Sequence, residues 1–135
     1  MPTASVVVSN RRTLIVLSVD DVSNATVRPP FVTLLPAFNE TERRQADAII
    51  GFLLARGCVE VCCVGPEAEQ LHDSIDAIVE SVGYLDMVTT WHTDYSDAFE
   101  YFLFAAGGGS AMLVAVVASH PDLVALLEKE ARAGG

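Results

Sequence analysis

Five side chains that can bind a cation or transfer a proton follow apolar, strand-like runs of this sequence. They are Asp20 and Asp21 after the first run, His92 and Asp94 after the third, and His120 after the fourth. Three carboxylates with two imidazoles can hold a divalent metal ion or carry out acid–base chemistry. We therefore predict a ligand crevice at these residues, with Asp20, Asp21 and Asp94 as candidate metal ligands. Trp91 is a candidate floor for the crevice, although a core position explains it more simply.

Each of these residues also has a structural explanation. Asp94 is a favoured helix N-cap, and aspartates such as Asp20 and Asp21 are common where a loop begins. His120 precedes a proline at the start of a predicted helix, where an exposed histidine is ordinary. No spacing among them matches a dedicated metal-ligand motif. The sequence therefore predicts a crevice without assigning it a catalytic role.

Four strand–helix alternations would position these residues. The strand-like runs are Leu14–Val19, Val59–Val64, Met87–Trp91 and Met112–Ala118. Alternating strands and helices predict a parallel sheet, which binds ligands at the carboxyl ends of its strands. We expect a three-layer α/β domain, Rossmann-like or flavodoxin-like, with a mainly parallel sheet of four to five strands. The order 2-1-3-4 is favoured, because right-handed crossovers allow it and it places the first and third strands side by side.

The length of 135 residues is typical of one domain, and we expect a single α/β domain over residues 1–135. Residues 1–12 are expected to be a frayed start or an edge strand. Residues 21–38 are expected to be a long irregular connection, because Pro29 and Pro30 exclude a helix there. The first helix should begin after Asn39, a favoured N-cap with Glu42 three residues later.

The chain is strongly acidic, with 8 basic and 18 acidic residues and a formal net charge of −10. Nucleic acids and anionic membranes are therefore unfavourable partners, since both attract cationic surfaces. No apolar run reaches the roughly 20 residues of a membrane-spanning helix. The second predicted helix exposes carboxylates, and the third is rich in aromatic residues. They predict an interaction surface that comprises Glu67, Glu69, Asp73, Asp76, Glu80, Tyr95 and Tyr101.

The three cysteines are predicted to be reduced, structural thiols. Cys62 and Cys63 are neighbours within a strand, so their side chains should point to opposite faces. Reduced thiols and the lack of a secretory signal are typical of a cytoplasmic protein. The sequence also lacks a glycine-rich nucleotide loop, a nucleophile-elbow motif and a Cys-x-x-Cys motif.

These features predict a non-enzymatic interaction or regulatory module that binds a protein partner with a basic surface, or that forms a homo-oligomer through an apolar patch. No cofactor is expected, although a divalent cation would suit the predicted crevice. The alternative function is a small metal-dependent hydrolase, or a ligand-binding protein, that uses the polar residues at the carboxyl ends of the strands.

Overall fold

The computed structural model describes residues 5–8, 11–84, 86–109 and 112–133. The strands are β1 (Ser5–Val7), β2 (Thr13–Val16), β3 (Phe31–Pro36), β4 (Cys58–Val64), β5 (Val88–His92) and β6 (Met112–Ala115). The helices are α1 (Glu40–Ala55), α2 (Ala68–Val82), α3 (Tyr95–Phe104) and α4 (Pro121–Ala133), with 3₁₀ helices at Val19–Asn24 and Ala106–Gly109. No helix within these ranges is long and apolar enough to cross a membrane.

The described strands form one sheet in the order β1-β2-β6-β3-β4-β5. Strands β2 to β6 are mutually parallel, and β1 is antiparallel to β2. The parallel sheet between helical layers confirms the predicted α/β fold of Rossmann-like or flavodoxin-like type. The favoured order 2-1-3-4 is wrong, because β6 and β3 lie between the first and second predicted strands. The first and third predicted strands, β2 and β5, are therefore separated by three others.

The segment 21–38, expected to be irregular, contains β3, the middle one of the five parallel strands. All six residues of β3 are buried, and they pair with β6 on one side and β4 on the other. A strand buried on both faces appears as a continuous apolar run, which Phe31–Leu35 resembles apart from Thr33. The sequence predicts only a short extended piece at Phe31–Leu35 within the connection, because prolines flank it. Pro36 is accommodated because it lies beyond Leu34, the last residue of β3 that pairs with β6.

Two apolar clusters hold the three layers together. One face of the sheet packs against α1, α2 and the first 3₁₀ helix through a cluster that includes Ile50, Leu71 and Ile75. The other face packs against α3 and α4 through a cluster that includes Phe99, Phe102 and Leu127. Cys62 and Cys63 belong to opposite clusters, as the strand alternation predicted. Each large buried side chain stabilises the fold by roughly 2 kcal/mol, so the loops at the strand ends have a firm support.

Helix α1 begins where the sequence predicted it. The side chain of Asn39 accepts a hydrogen bond from the Glu42 amide at 2.9 Å. At the other end, Gly57 has a φ of +99°, and a Cβ there would lie 2.5 Å from Cβ of Pro29. Only glycine fits this turn, which ends the helix directly before β4.

Candidate functional site

The carboxyl ends of the parallel strands form one edge of the sheet, here called the carboxyl rim. The β2–β6 end of the rim holds Asp20, Asp21 and His120, and the β5 end holds Trp91, His92 and Asp94. Neighbouring strands are about 4.8 Å apart, which places β2 and β5 about 19 Å apart. In the part of the chain that the structure describes, no three His, Cys, Asp or Glu residues are grouped to hold a metal ion. The structure therefore does not bring Asp20, Asp21 and Asp94 together as metal ligands.

The first half of the rim is a cavity of about 200 Å³, here called the crevice. It is lined by Ser18, Val19, Asp20, Leu35, Pro36, Glu42, Gln45, Ala46, Ile49, Val116 and Ser119. Strand β3 leads into α1 on one face of the sheet, and its neighbour β6 leads into α4 on the other. The crevice thus lies where adjacent strands diverge to opposite faces, which is where open α/β sheets bind ligands.

Glu42 connects two walls of the crevice. Its Oε1 accepts a hydrogen bond from the Phe38 amide at 2.9 Å, and its Oε2 contacts Nε2 of His120. The His120 ring also lies 4.7 Å from the Phe38 ring, centroid to centroid. The contact between Glu42 and His120 therefore joins the start of α1 to the loop before α4. The sequence indicated Glu42 only as a capping residue, since the contact with His120 depends on β3 and β6 being neighbours.

The two aspartates after β2 have different surroundings. Asp21 accepts a hydrogen bond from Ser18 Oγ at 2.9 Å, which ties its carboxylate to the residue before the first 3₁₀ helix. Asp20 is exposed and lines the crevice. The predicted pair therefore divides into a structural carboxylate and one that faces the cavity.

At its β5 end the rim meets the outer side of β5, here called the open edge. Within the described chain, β5 pairs with β4 and with no other strand. Three exposed large hydrophobic side chains belong to β5 or the helix that follows it: Val88 and Trp91 on β5, and Tyr95 at the start of α3. Trp91 is 39% exposed and lies outside the crevice, so the core position expected for it is wrong. Because β5 is an edge strand, the side of Trp91 that faces away from β4 has no neighbouring strand to cover it.

The hydrogen bonds of β5 indicate which backbone groups face outwards. The carbonyl of His92 accepts a hydrogen bond from the Gly65 amide at 3.1 Å, so the backbone of His92 faces β4. Backbone direction alternates along a strand, which points the N–H and C=O groups of Thr89 and Trp91 away from the sheet. The buried hydroxyl of Thr89 has no hydrogen-bond partner among the described residues.

Carboxylates border the open edge on the side of α2. Ser74 donates a hydrogen bond to Asp47 of α1 at 2.9 Å, so this side of α2 faces α1. At 3.6 residues per turn, four acidic residues lie about 100° to 160° around the helix from Ser74. They are Glu69, Asp73, Asp76 and Glu80. Because α1 packs on β3 and β4 while α2 packs on β4 and β5, these carboxylates lie on the side of the open edge.

Glu67 does not belong to this acidic border. Its Oε1 accepts a hydrogen bond from Nε of Arg43 at 2.7 Å, which joins the start of α2 to α1. Glu67 was predicted to be part of the interaction surface. The ion pair instead turns its side chain towards a neighbouring helix.

A groove of about 430 Å³ separates α3 from the open edge. Its lining is His92, Asp97, Glu100, Tyr101, Phe104 and Ala105, so carboxylates border the edge on this side also. The Tyr101 hydroxyl donates to Glu60 at 2.5 Å, and the two rings of His92 and Tyr101 lie 5.6 Å apart. Burial and the hydrogen bond to Glu60 raise the pKa of Tyr101, so the phenol stays protonated. Tyr101, predicted as a surface contact, is therefore partly committed to the interior.

Sequence reasoning missed the buried carboxylate of Glu60, which is 4% exposed. Besides the Tyr101 hydroxyl, it accepts hydrogen bonds from the Gly107 amide at 2.9 Å and Thr90 Oγ1 at 3.3 Å. Arg12, 5% exposed, donates nearby to carbonyls that include Leu103 at 2.6 Å. The signal in the sequence was a single charged residue inside the apolar run of β4. These contacts tie α3 to the sheet below the open edge.

The cysteines are poor candidates for nucleophilic chemistry. Burial raises the pKa of Cys58 to about 11, and it also raises the pKa values of Cys62 and Cys63. A thiol reacts as its thiolate, which these surroundings disfavour. Their role is packing within the two apolar clusters.

The match to known families covers both halves of the carboxyl rim. No curated protein and no solved structure matches the chain. One family model, described as a domain of unknown function (DUF7684), matches residues 13–126. Since this match spans most of the 135 residues, the chain belongs to the DUF7684 family.

Proposed function

We propose that this protein is a non-enzymatic interaction module that binds an extended, basic segment of a protein partner along the open edge of β5. The observation that carries the proposal is a strand whose outer edge pairs with no described strand and which exposes hydrophobic side chains between two acidic borders. Unpaired edges of this kind are templates for an added strand. A cytoplasmic location is part of the proposal, because three buried, reduced thiols suit that compartment.

The backbone supplies affinity in this arrangement. Outward N–H and C=O groups of Thr89 and Trp91 would pair with the main chain of the added segment. Val88 and Trp91, 49% and 39% exposed, offer apolar surface beside those groups. Natural edge strands often carry lysine or proline, which oppose such pairing, and Val88–His92 contains neither.

Charge favours a basic segment over a second copy of the chain. No lysine or arginine occurs between Arg56 and Lys129, a stretch that contains α2, β5 and α3. Two copies paired through β5 would bring their acidic borders together, and like charges would repel. Lysine or arginine side chains on an added strand would instead reach carboxylates such as Asp76 and Asp97.

Trp91 provides the readout for the test, because it is the single tryptophan of the chain and lies on the open edge. The protein is titrated with a peptide of alternating lysine and valine while tryptophan emission is recorded. We expect a saturable blue shift that weakens as salt is added, since exposed charges are screened. A peptide of alternating glutamate and valine should give no shift. Equal responses to both peptides, or none to the basic peptide, would refute the proposal.

Two substitutions at one position test the pairing itself. Thr89→Pro removes an outward N–H from an edge strand, where proline is tolerated, and should abolish the emission shift. Thr89→Val retains the N–H and should leave the shift unchanged. Circular dichroism confirms that both variants are folded. Native mass spectrometry of the unliganded protein tests whether a second copy of the chain binds the open edge. A dimer that Thr89→Pro dissociates would show that the second copy, and not a basic segment, occupies this edge.

A further inference from the structure

We infer that the crevice binds a compact primary ammonium compound with a short apolar chain. This site lies at the opposite end of the carboxyl rim from the open edge. It is therefore a second binding site, independent of the proposed peptide contact.

The dimensions and lining of the crevice suit a small amphipathic molecule. Its volume of about 200 Å³ lies below the roughly 300–1,000 Å³ of pockets that hold drug-sized ligands. Leu35, Pro36 and Val116 provide buried apolar surface at the strand ends. Ser119 and Gln45 are exposed, and they place hydrogen-bonding groups at the mouth. A short alkyl chain would enter the cavity with its polar end near these groups.

The charge of the crevice favours a cation. Helix amino ends usually attract anions such as phosphate. Here the side chain of Glu42 already occupies the amino end of α1, where its Oε1 accepts a hydrogen bond from the Phe38 amide at 2.9 Å. The charged side chains in the lining are Asp20 and Glu42, both acidic. An anionic ligand would therefore meet repulsion where most nucleotide-binding α/β proteins offer free amides.

The lining also selects the kind of cation. Quaternary ammonium groups are usually held by aromatic cages, and the described residues around this cavity include no aromatic side chain. A primary ammonium needs hydrogen-bond acceptors instead. Glu42 is engaged by His120 and Asp21 by Ser18, which leaves the exposed Asp20 as the carboxylate best placed to accept from the ligand.

Matched small molecules test the inference by amide chemical shifts of the labelled protein. Butylammonium at millimolar concentration should shift the amides of Ser18, Asp20, Gln45 and Ser119, and leave those of β5 unchanged. Butyrate, with the same chain and opposite charge, and tetramethylammonium should shift them far less. No shift with butylammonium, or equal shifts with either competitor, would overturn the inference.

Two charge-neutralising variants complete the test. Asp20→Asn should weaken butylammonium binding about tenfold, because a charged acceptor is lost. Asp86→Asn changes the net charge equally, and the exposed Asp86 belongs neither to the crevice lining nor to the acidic borders of the open edge. This control should leave the affinity unchanged. Equal weakening by both variants would show that the ammonium responds only to overall charge, which would refute the crevice as its site.

Discussion

The two halves of the carboxyl rim differ in how their loops are held, although both lie at the ends of parallel strands. At the crevice, β6 and β3 each have a neighbour on both sides, and Glu42 with His120 joins the loops that follow them. At the open edge, β5 has one neighbour among the described strands and leaves backbone groups and hydrophobic side chains exposed. The crevice is therefore suited to a small molecule and the open edge to an extended chain.

The difference follows from strand order more than from residue type. Both halves contain Asp and His residues after a strand, so local composition does not distinguish them. A strand between two neighbours has no free backbone, and its loop can close over a cavity. An edge strand can accept another strand. Variants that loosen one half and spare the other test this separation.

The largest effect is expected from Glu60→Ala, below the open edge. The variant removes the acceptor of the Gly107 amide and the Tyr101 hydroxyl, and a negative charge near Arg12. We expect a loss of about 3 kcal/mol in unfolding free energy, measured by urea denaturation. Hydrogen exchange should accelerate in α3 and not around α1. Glu80→Ala, an exposed control on α2, should change stability by less than about 0.5 kcal/mol. Uniform acceleration throughout the chain would contradict the separation of the two halves.

The next effect is expected from Glu42→Ala, at the crevice. The variant leaves the Phe38 amide and the His120 ring without their shared acceptor, at a cost of about 2 kcal/mol. Hydrogen exchange should accelerate in the loops before α1 and α4. Trp91 emission should remain at the wild-type wavelength, because the open edge is unaffected. A change in that emission would show that the two halves are coupled.

Much of the fold could be predicted from local sequence patterns. Asn39, Glu42 and Gly57 marked the ends of α1 correctly, and the apolar runs marked four of the five parallel strands. Strand β3 was predicted only as a short extended piece of a connection, because prolines surround it. The strand order could not be predicted, since α3 carries the chain back across two strands before β6 begins. No local signal encodes that crossing.

The candidate site was predictable by residue type and not by grouping. Asp20, His92 and His120 do lie at strand ends, but strand order decides that they belong to different halves. The Glu42–His120 contact joins residues 78 positions apart and depends on that same order. Glu60 left a local signal, a lone acid between Val59 and Val61, whose partners only the folded chain identifies.

A smaller effect is expected from Tyr101→Phe, which removes one donor to Glu60. We expect a loss of about 1 kcal/mol at neutral pH. The pKa of Tyr101 is raised in the folded protein from its ordinary value of 10.0, so the folded state holds this proton more tightly than the unfolded state. Its contribution is therefore complete below about pH 10 and falls as the pH rises further. The phenolate absorbance of the wild type should show a late ionisation step, above pH 10, that belongs to Tyr101. If Tyr101→Phe retains that late step, the assignment is wrong.

The smallest effect separates two adjacent threonines of β5. The Thr89 hydroxyl is buried without a partner among the described residues, whereas Thr90 Oγ1 donates to Glu60 at 3.3 Å. Thr89→Val should therefore raise the unfolding free energy by about 0.5 kcal/mol, because a buried polar group is removed. Thr90→Val should lower it by a similar amount, because Glu60 loses a donor. Both variants have the same shape change and the same gain in strand propensity, so paired urea denaturation isolates the hydroxyl. Equal changes in the two variants would mean that Thr90 does not support Glu60, and that the open edge is held from below by the other donors to Glu60, such as Tyr101 and Gly107.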